Sequence, residues 1–326
     1  MMERMSGAVL TGFLIPLILM PFFIDFLKKK AFGQQVRSEG PQDHRKKQGT
    51  PTMGGAIVLI AFLVSTLWQE KLTAGFAVFL GLTVLTGFLG AADDALQVLR
   101  RRSLGLRARD KMLIQVFLGI LLSLYVLYFQ DASLLIWIPG GELALPRWAF
   151  ILLVVVMLAG FSNATNLTDG LDGLASGLGV IALAVYGIVC WKAGRGDLAM
   201  GAASLAGCYL GFLWFNAHPA KIFMGDTGSL PLGAALATLA VLTRTELLLV
   251  VVGGIFVLET LSVMIQVFWF KLSKRLWKLA EGRRIFKMSP LHHHWELSGW
   301  PETRVTVRFW ILGALFGLAG LYLFFH

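Results

Sequence analysis

Apolar residues run along this chain in long blocks separated by short polar stretches, not at the 3.6- or 2-residue period of half-buried elements. A helix needs about 20 mostly apolar residues to cross a bilayer. Blocks of this kind lie near 6–27, 53–69, 74–92, 112–130, 148–166, 174–191, 198–215, 228–243, 246–270 and 306–325. The pattern predicts an all-α polytopic membrane protein with about ten transmembrane helices. Lys28, Lys29 and Lys30 follow the first block without a small-residue cleavage site, so it reads as a retained helix rather than a signal peptide. The pattern from 246 continues to 279, too long for one crossing, and an unbroken helix there would project into the cytoplasm on Lys271, Lys274, Arg275 and Lys278. In 134–146, two short alternating runs flank Pro139-Gly140-Gly141, the signature of a small β-hairpin.

Composition supports the same class. Only 15% of the 326 residues are charged, against about 25% in soluble domains, and mean hydropathy is +0.72. The two cysteines, Cys190 and Cys208, both lie in apolar runs, which leaves no disulfide framework or zinc pattern. The net charge of +10 invites a nucleic-acid reading until its location is considered. Of the 29 Lys and Arg, 22 fall in the alternate loops 28–52, 91–111, 161–173, 216–227 and 271–305. The positive-inside rule makes those loops cytoplasmic and puts both termini and the hairpin in the periplasm. The basic charge then reports topology and anionic small substrates, and nucleic acid is not expected as a partner. The whole chain, 1–326, reads as a single integral membrane domain.

The polar motifs all fall on the cytoplasmic side. The stretch 44–55 (HRKKQGTPTMGG) combines Lys46 and Lys47 with Thr50, Thr52 and close-approach glycines, which suits an anion as well as a helix-starting loop. Asp93-Asp94 ends the third span, where two acids need a cation, a donor or an ion pair with Arg100–Arg102 or Arg107. The stretch 163–175 (NATNLTDGLDGLA) sets Asn163, Asn166, Asp169 and Asp172 among glycines with no Lys or Arg, and a helical turn would stack the two acids on one face. In 216–229 (NAHPAKIFMGDTGS), Asp226 lies between small residues and hydroxyls, fitting either an N-cap or Mg²⁺ with phosphate oxygens. Phe223 beside it could stack on a base. His292, His293 and His294 lie in 290–296 (PLHHHWE) near Arg283, Arg284 and Lys287, and their spacing suits a phosphate-rich ligand better than zinc. Five acids facing many bases are consistent with Mg²⁺ and a diphosphate, and the membrane setting implies that one reactant is a lipid. Glu259 and Asp25 are the acids within or at the edge of spans, too few for a proton relay across the bilayer. A cation or nucleotide-sugar transporter, whose polar groups belong near the midplane, ranks below an enzyme.

These strings, in order over the whole chain, resemble the phospho-MurNAc-pentapeptide translocase (MraY) family of the polyprenyl-phosphate N-acetylhexosamine-1-phosphate transferase superfamily. GTPTMGG and the triple histidine are particular to that family and disfavour a relative using UDP-GlcNAc. The resemblance implies Mg²⁺-dependent transfer of phospho-MurNAc-pentapeptide from UDP to undecaprenyl phosphate, giving lipid I and UMP in the bacterial inner membrane. It further implies a homodimer and inhibition by nucleoside antibiotics. By motif position, Asp226 would hold Mg²⁺, and Asp93 would orient or deprotonate the lipid phosphate beside Asp94. Asn163, Asp169, Gly170, Leu171, Asp172, Asn216 and Phe223 would line the uridine-diphosphate site, with Lys47 and Thr52 nearby, and the three histidines would meet the diphosphate or the sugar-peptide. Gln97 replaces a lysine common in the family, with Lys111 or Arg100–Arg102 as candidate substitutes for its phosphate contact. Two chemical routes stay open: direct in-line attack by the lipid phosphate, or a covalent intermediate on Asp94 or Asp226.

Overall fold

A computed structural model describes residues 2–30, 47, 49–68, 72–100, 105–130, 134–278 and 281–326. Lys46, Arg101 and Arg102, and most of the loop 28–52, lie outside the described residues. Twelve helices run in chain order among the described residues: α1 (Met2–Lys29), α2 (Gly55–Ser65), α3 (Ala74–Arg100), α4 (Ala108–Phe129), α5 (Arg147–Thr168), α6 (Leu174–Lys192), α7 (Gly196–Asn216), α8 (Asp226–Leu242), α9 (Glu246–Val252), α10 (Gly254–Leu276), α11 (Leu291–Glu296) and α12 (Glu302–Phe325). Eight of them (α1, α3, α4, α5, α6, α7, α10 and α12) are long and apolar enough to cross a membrane. Two shorter apolar helices, Gly55–Trp68 and Asp226–Leu242, bring the number to the ten expected.

The helices divide into an inner and an outer set. Every residue of α8 from Thr227 to Leu242 is buried. Its run of Gly228, Ser229, Gly233, Ala234, Ala235, Ala237 and Ala240 lets α3 and α5 approach closely, the small-residue packing typical of membrane helices. α6 and α7 complete the centre, being 72% and 78% buried against 22% for α12 and 28% for α1 and α10. The outer helices instead present apolar side chains such as Phe22, Phe88, Phe117 and Leu318 outward, as lipid-facing surfaces do.

Between α4 and α5, strands β1 (Leu135–Ile138) and β2 (Gly141–Ala144) pair antiparallel, with Trp137 opposite Glu142 and Ile138 opposite Gly141. This is the expected hairpin. It docks on the α8–α9 connection, where Trp137 N–H donates to Arg244 O at 2.8 Å, and on Phe324 near the end of α12.

Three expectations change. The overlong apolar run is not one helix: it breaks at Gly253-Gly254 into α9 and α10, glycine pairs being frequent sites of helix interruption. Asp93 and Asp94 do not lie in a loop after the third span, because α3 continues to Arg100. Asp169 and Asp172 do not share a helical face. α5 ends at Thr168, a turn follows, and Gly173 at φ +74° leads into α6.

Candidate active site

α3, α4, α5 and α8 bring their polar ends together at the end of the bundle opposite the hairpin. Gly90 on α3 is packed so tightly on the first residue of α8 that a Cβ would run into the Asp226 carbonyl. One turn later, Asp94 accepts hydrogen bonds from the N–H groups of Asp226 (3.1 Å) and Thr227 (3.0 Å) and from Thr227 Oγ1 (2.6 Å). The buried Asp94 carboxylate is thus an N-cap donated in trans, set against the positive end of the α8 dipole. Gly225, at φ +70°, makes the preceding bend, and a side chain there would strike Asp94.

Asp93, equally buried, accepts from Gln97 Nε2 (2.6 Å) and from the Leu106 N–H (2.7 Å). Lys111 on α4 reaches between two acids, its Nζ lying 3.3 Å from Asp93 Oδ1 and 2.8 Å from Asp226 Oδ2. The other Asp226 oxygen accepts from Asn166 Nδ2 at 2.6 Å. Asp93, Asp94 and Asp226 each offer an oxygen within 4.8 Å of the others. Three converging carboxylates form the all-oxygen donor set that hard divalent cations prefer, and the Lys111 ammonium already sits on one side of it. The cluster can therefore hold a divalent cation. Arg100 and Arg107 make no ion pair with these acids among the described residues, and Lys111 takes the cationic role.

Asp169 caps the end of α5, and its carboxylate has no hydrogen-bond partner among the described residues. Burial, followed by the negative charges of Asp226, Asp94 and Asp172, pushes its pKa up to about 8.

A second polar group lies beside the first. Asp172 is buried and receives Lys47 Nζ (2.7 Å), His218 Nδ1 (3.0 Å) and the Ala220 N–H (3.0 Å). Glu302, at the start of α12, receives the same ammonium at 2.6 Å and the Asp172 N–H at 2.7 Å. Lys47 thereby ties the first polar loop to the α5–α6 turn and to α12. Neither His218 nor Glu302 stood out in the sequence, since each is a lone polar residue without a motif of its own.

The remaining expected residues divide between neighbours of the acid cluster and the framework around it. Thr52 Oγ1 lies beside Gly225, and Phe223 is held by its backbone, which pairs with Pro51 and Gly54 (2.8 and 2.9 Å). Asn216 works within the protein, accepting from Gly173 N and Ser176 Oγ and donating to Ile222 O. Leu171 is a core residue. Asn163 donates to Gln115 and to Ala159 O, which places it in the α4–α5 seam rather than on the acids. The histidines have separate partners: Glu259 for His292, Glu296 for His293 (2.7 Å) and the Lys287 N–H for His294 (3.1 Å). His292 meets the site through Gly170.

Residues 76–244 match Glycosyl transferase family 4. The phospho-N-acetylmuramoyl-pentapeptide-transferase of Geobacillus sp. (strain WCH70) is 48% identical over 99% of both chains. That of Bacillus subtilis (strain 168) is 46% identical over 97% of this chain and 96% of its own, and that of Halalkalibacterium halodurans 47% over 99% and 98%. The chain belongs to the phospho-N-acetylmuramoyl-pentapeptide-transferase family. Membership makes this multi-pass membrane protein a transferase, and all three acids of the α3–α8 cluster lie inside the region that matches Glycosyl transferase family 4.

Proposed function

We propose that the protein transfers phospho-MurNAc-pentapeptide from UDP-MurNAc-pentapeptide to undecaprenyl phosphate, releasing UMP and forming lipid I for peptidoglycan synthesis. In this reading the chain is one domain of the bacterial inner membrane, a homodimer with both termini periplasmic and its acids facing the cytoplasm. The observation that carries it is the convergence of Asp93, Asp94 and Asp226, with Lys111 paired to the first and the last, at one end of the bundle in a chain of this family.

Mg²⁺ suits the three carboxylates, and when bound it would supply charge neutralisation for a diphosphate. Lys111 adds positive charge on the Asp93 and Asp226 side of that group. Asp93, with one oxygen on Gln97 and the other on Leu106 N–H and Lys111, is fixed to orient the lipid phosphate. Little base catalysis is needed, because a phosphate monoester with a second pKa near ~6 is mostly dianionic at neutral pH. Lys47, Thr52, Asp169, Gly170, Asp172 and Phe223 border the region we assign to the nucleotide, while Asn216, Leu171 and Asn163 hold its walls.

Direct in-line attack is favoured over an aspartyl intermediate. Both Asp94 oxygens accept from the first turn of α8, and both Asp226 oxygens from Asn166 and Lys111, and these donors draw charge from each carboxylate and lower its nucleophilicity. Single-turnover labelling is expected to trap no phosphosugar on the protein. Recovery of an aspartyl adduct at a competent rate would overturn direct attack.

The deciding assay uses the purified full chain with UDP-MurNAc-pentapeptide and undecaprenyl phosphate, with and without Mg²⁺. UMP release that requires the metal is the expected result. No release, or equal turnover of UDP-GlcNAc, refutes the assignment. Asp226→Ala and Asp93→Asn should each abolish turnover while the protein stays folded.

A further inference from the structure

Glu259 is a fully buried carboxylate in the second turn of α10, a membrane-spanning helix, a placement that is costly unless a donor compensates it. Among the described residues no Lys or Arg pairs with it. Its ion-pair-distance neighbour among the described residues is the imidazole of His292, also fully buried. The main-chain N–H of His292 donates to Glu259 Oε1 at 3.2 Å, and the ring Nδ1 lies 3.2 Å from the same oxygen. A carboxylate at that distance calls for hydrogen on Nδ1, which leaves Nε2 with a lone pair in the neutral ring.

Nε2 faces the turn between α5 and α6. A Cβ on Gly170 would run into it, so glycine is required where the imidazole meets the residue after Asp169. Nε2 and Glu259 Oε2 are buried without a hydrogen-bond partner, while Nδ1 has the Glu259 carboxylate beside it. Buried polar atoms are normally satisfied, so two idle ones in a single cluster mark a place prepared for a ligand. The neighbouring imidazoles are committed differently: His293 Nδ1 to Glu296, and His294 Nδ1 as acceptor for the Lys287 N–H.

We propose that Glu259 is a positioning residue that fixes His292 as the Nδ1–H tautomer, so that Nε2 accepts a hydrogen bond from an O–H or N–H of the nucleotide-sugar substrate bound over the Asp169–Gly170 turn. The substrate class rests on the transferase reading; the tautomer does not. A carboxylate that orients a histidine through one nitrogen while the other does the chemistry recurs at metal and hydrolytic sites.

Two measurements test this. Glu259→Leu removes the oxygen that faces both the His292 main-chain N–H and Nδ1, which frees the ring to take the Nε2–H form and lose the acceptor. It should raise KM for the nucleotide sugar by about 10-fold or more, as loss of one substrate hydrogen bond does, and leave KM for the lipid phosphate nearly unchanged. Glu259→Asp should recover part of the loss. In a His292→Gln background, Glu259→Leu should add nothing, since residues acting through one another are non-additive. Equal changes in both KM values, or additive losses, overturn the proposal. The second measurement is independent of turnover and of how the variants fold: ¹⁵N spectra of ring-labelled histidine in the wild-type full chain, with His292 assigned by its absence in His292→Gln. Protonated Nδ1 with bare Nε2 is expected, and hydrogen on Nε2, in a neutral or doubly protonated ring, sinks the idea. A wild-type protein without turnover would refute the transferase reading and leave the tautomer result standing.

Discussion

Asp169 is the site acid with the least local support, and that has a sign. Its folded pKa of about 8 stands above the ordinary 3.8, so between those values the folded protein holds a proton that the unfolded chain gives up. Stability from this group is complete below the unfolded value and is lost as pH rises through about 8. Thermal midpoints of the chelator-treated protein should therefore fall between pH 6 and 9, and Asp169→Asn should flatten that slope; an unchanged slope would refute the environment described for this carboxyl. Lys111→Met would leave Asp93 and Asp226 facing each other without their ammonium. Breaking a fully buried pair costs about 3–5 kcal/mol, and because Lys111 keeps 21% of its side-chain surface open the expected loss is about 1–3 kcal/mol. Added divalent cation should restore part of the midpoint in a melting experiment. The acids and Lys111 were legible in the sequence because charge is conspicuous in an apolar chain. His218, Glu302 and the Glu259–His292 pairing were not, because each is defined by a partner between 33 and 130 residues away.

At the scale of elements, the site depends on how closely α3 can approach α8. Gly90→Ala inserts a methyl against the Asp226 carbonyl, and overpacking of this kind costs about 1–3 kcal/mol. Its predicted signature is a lowered melting midpoint together with weakened cation-dependent activity, since the same shift pulls Asp94 off the first turn of α8. An active, equally stable variant would contradict that packing. The hairpin and the helix count could be read from hydropathy, which reports how many apolar residues are consecutive. The continuation of α3 beyond Ala92 could not. Hydropathy scores Asp93 and Asp94 as polar and stops, whereas the fold satisfies them with α8 N–H groups, Gln97 and Lys111 and keeps the helix going. The break in the last long apolar run was hidden for a related reason: Gly253-Gly254 is apolar in composition, and only its backbone sets it apart.

Across the whole molecule, the hairpin and the acid cluster terminate opposite ends of the same bundle, so their sidedness can be tested with one chemistry. Cys190 and Cys208 are fully buried, which keeps background labelling low. A cysteine at Glu142 on the hairpin should react with a membrane-impermeant maleimide from outside intact cells, and one at Lys274 only after permeabilisation; the reverse would invert the proposed topology. The dimensions of α8 add a last consequence. Seventeen residues at 1.5 Å each reach roughly 25 Å, short of a hydrocarbon layer about 30 Å thick. Enclosed by protein along its length, α8 has no obligation to match that thickness, and its first residue can stop beneath the headgroup plane. Asp226 is then recessed in a dent of the surface. Under the proposed function, a lipid-borne phosphate would meet a dissolved nucleotide there sideways, without its tail leaving the bilayer.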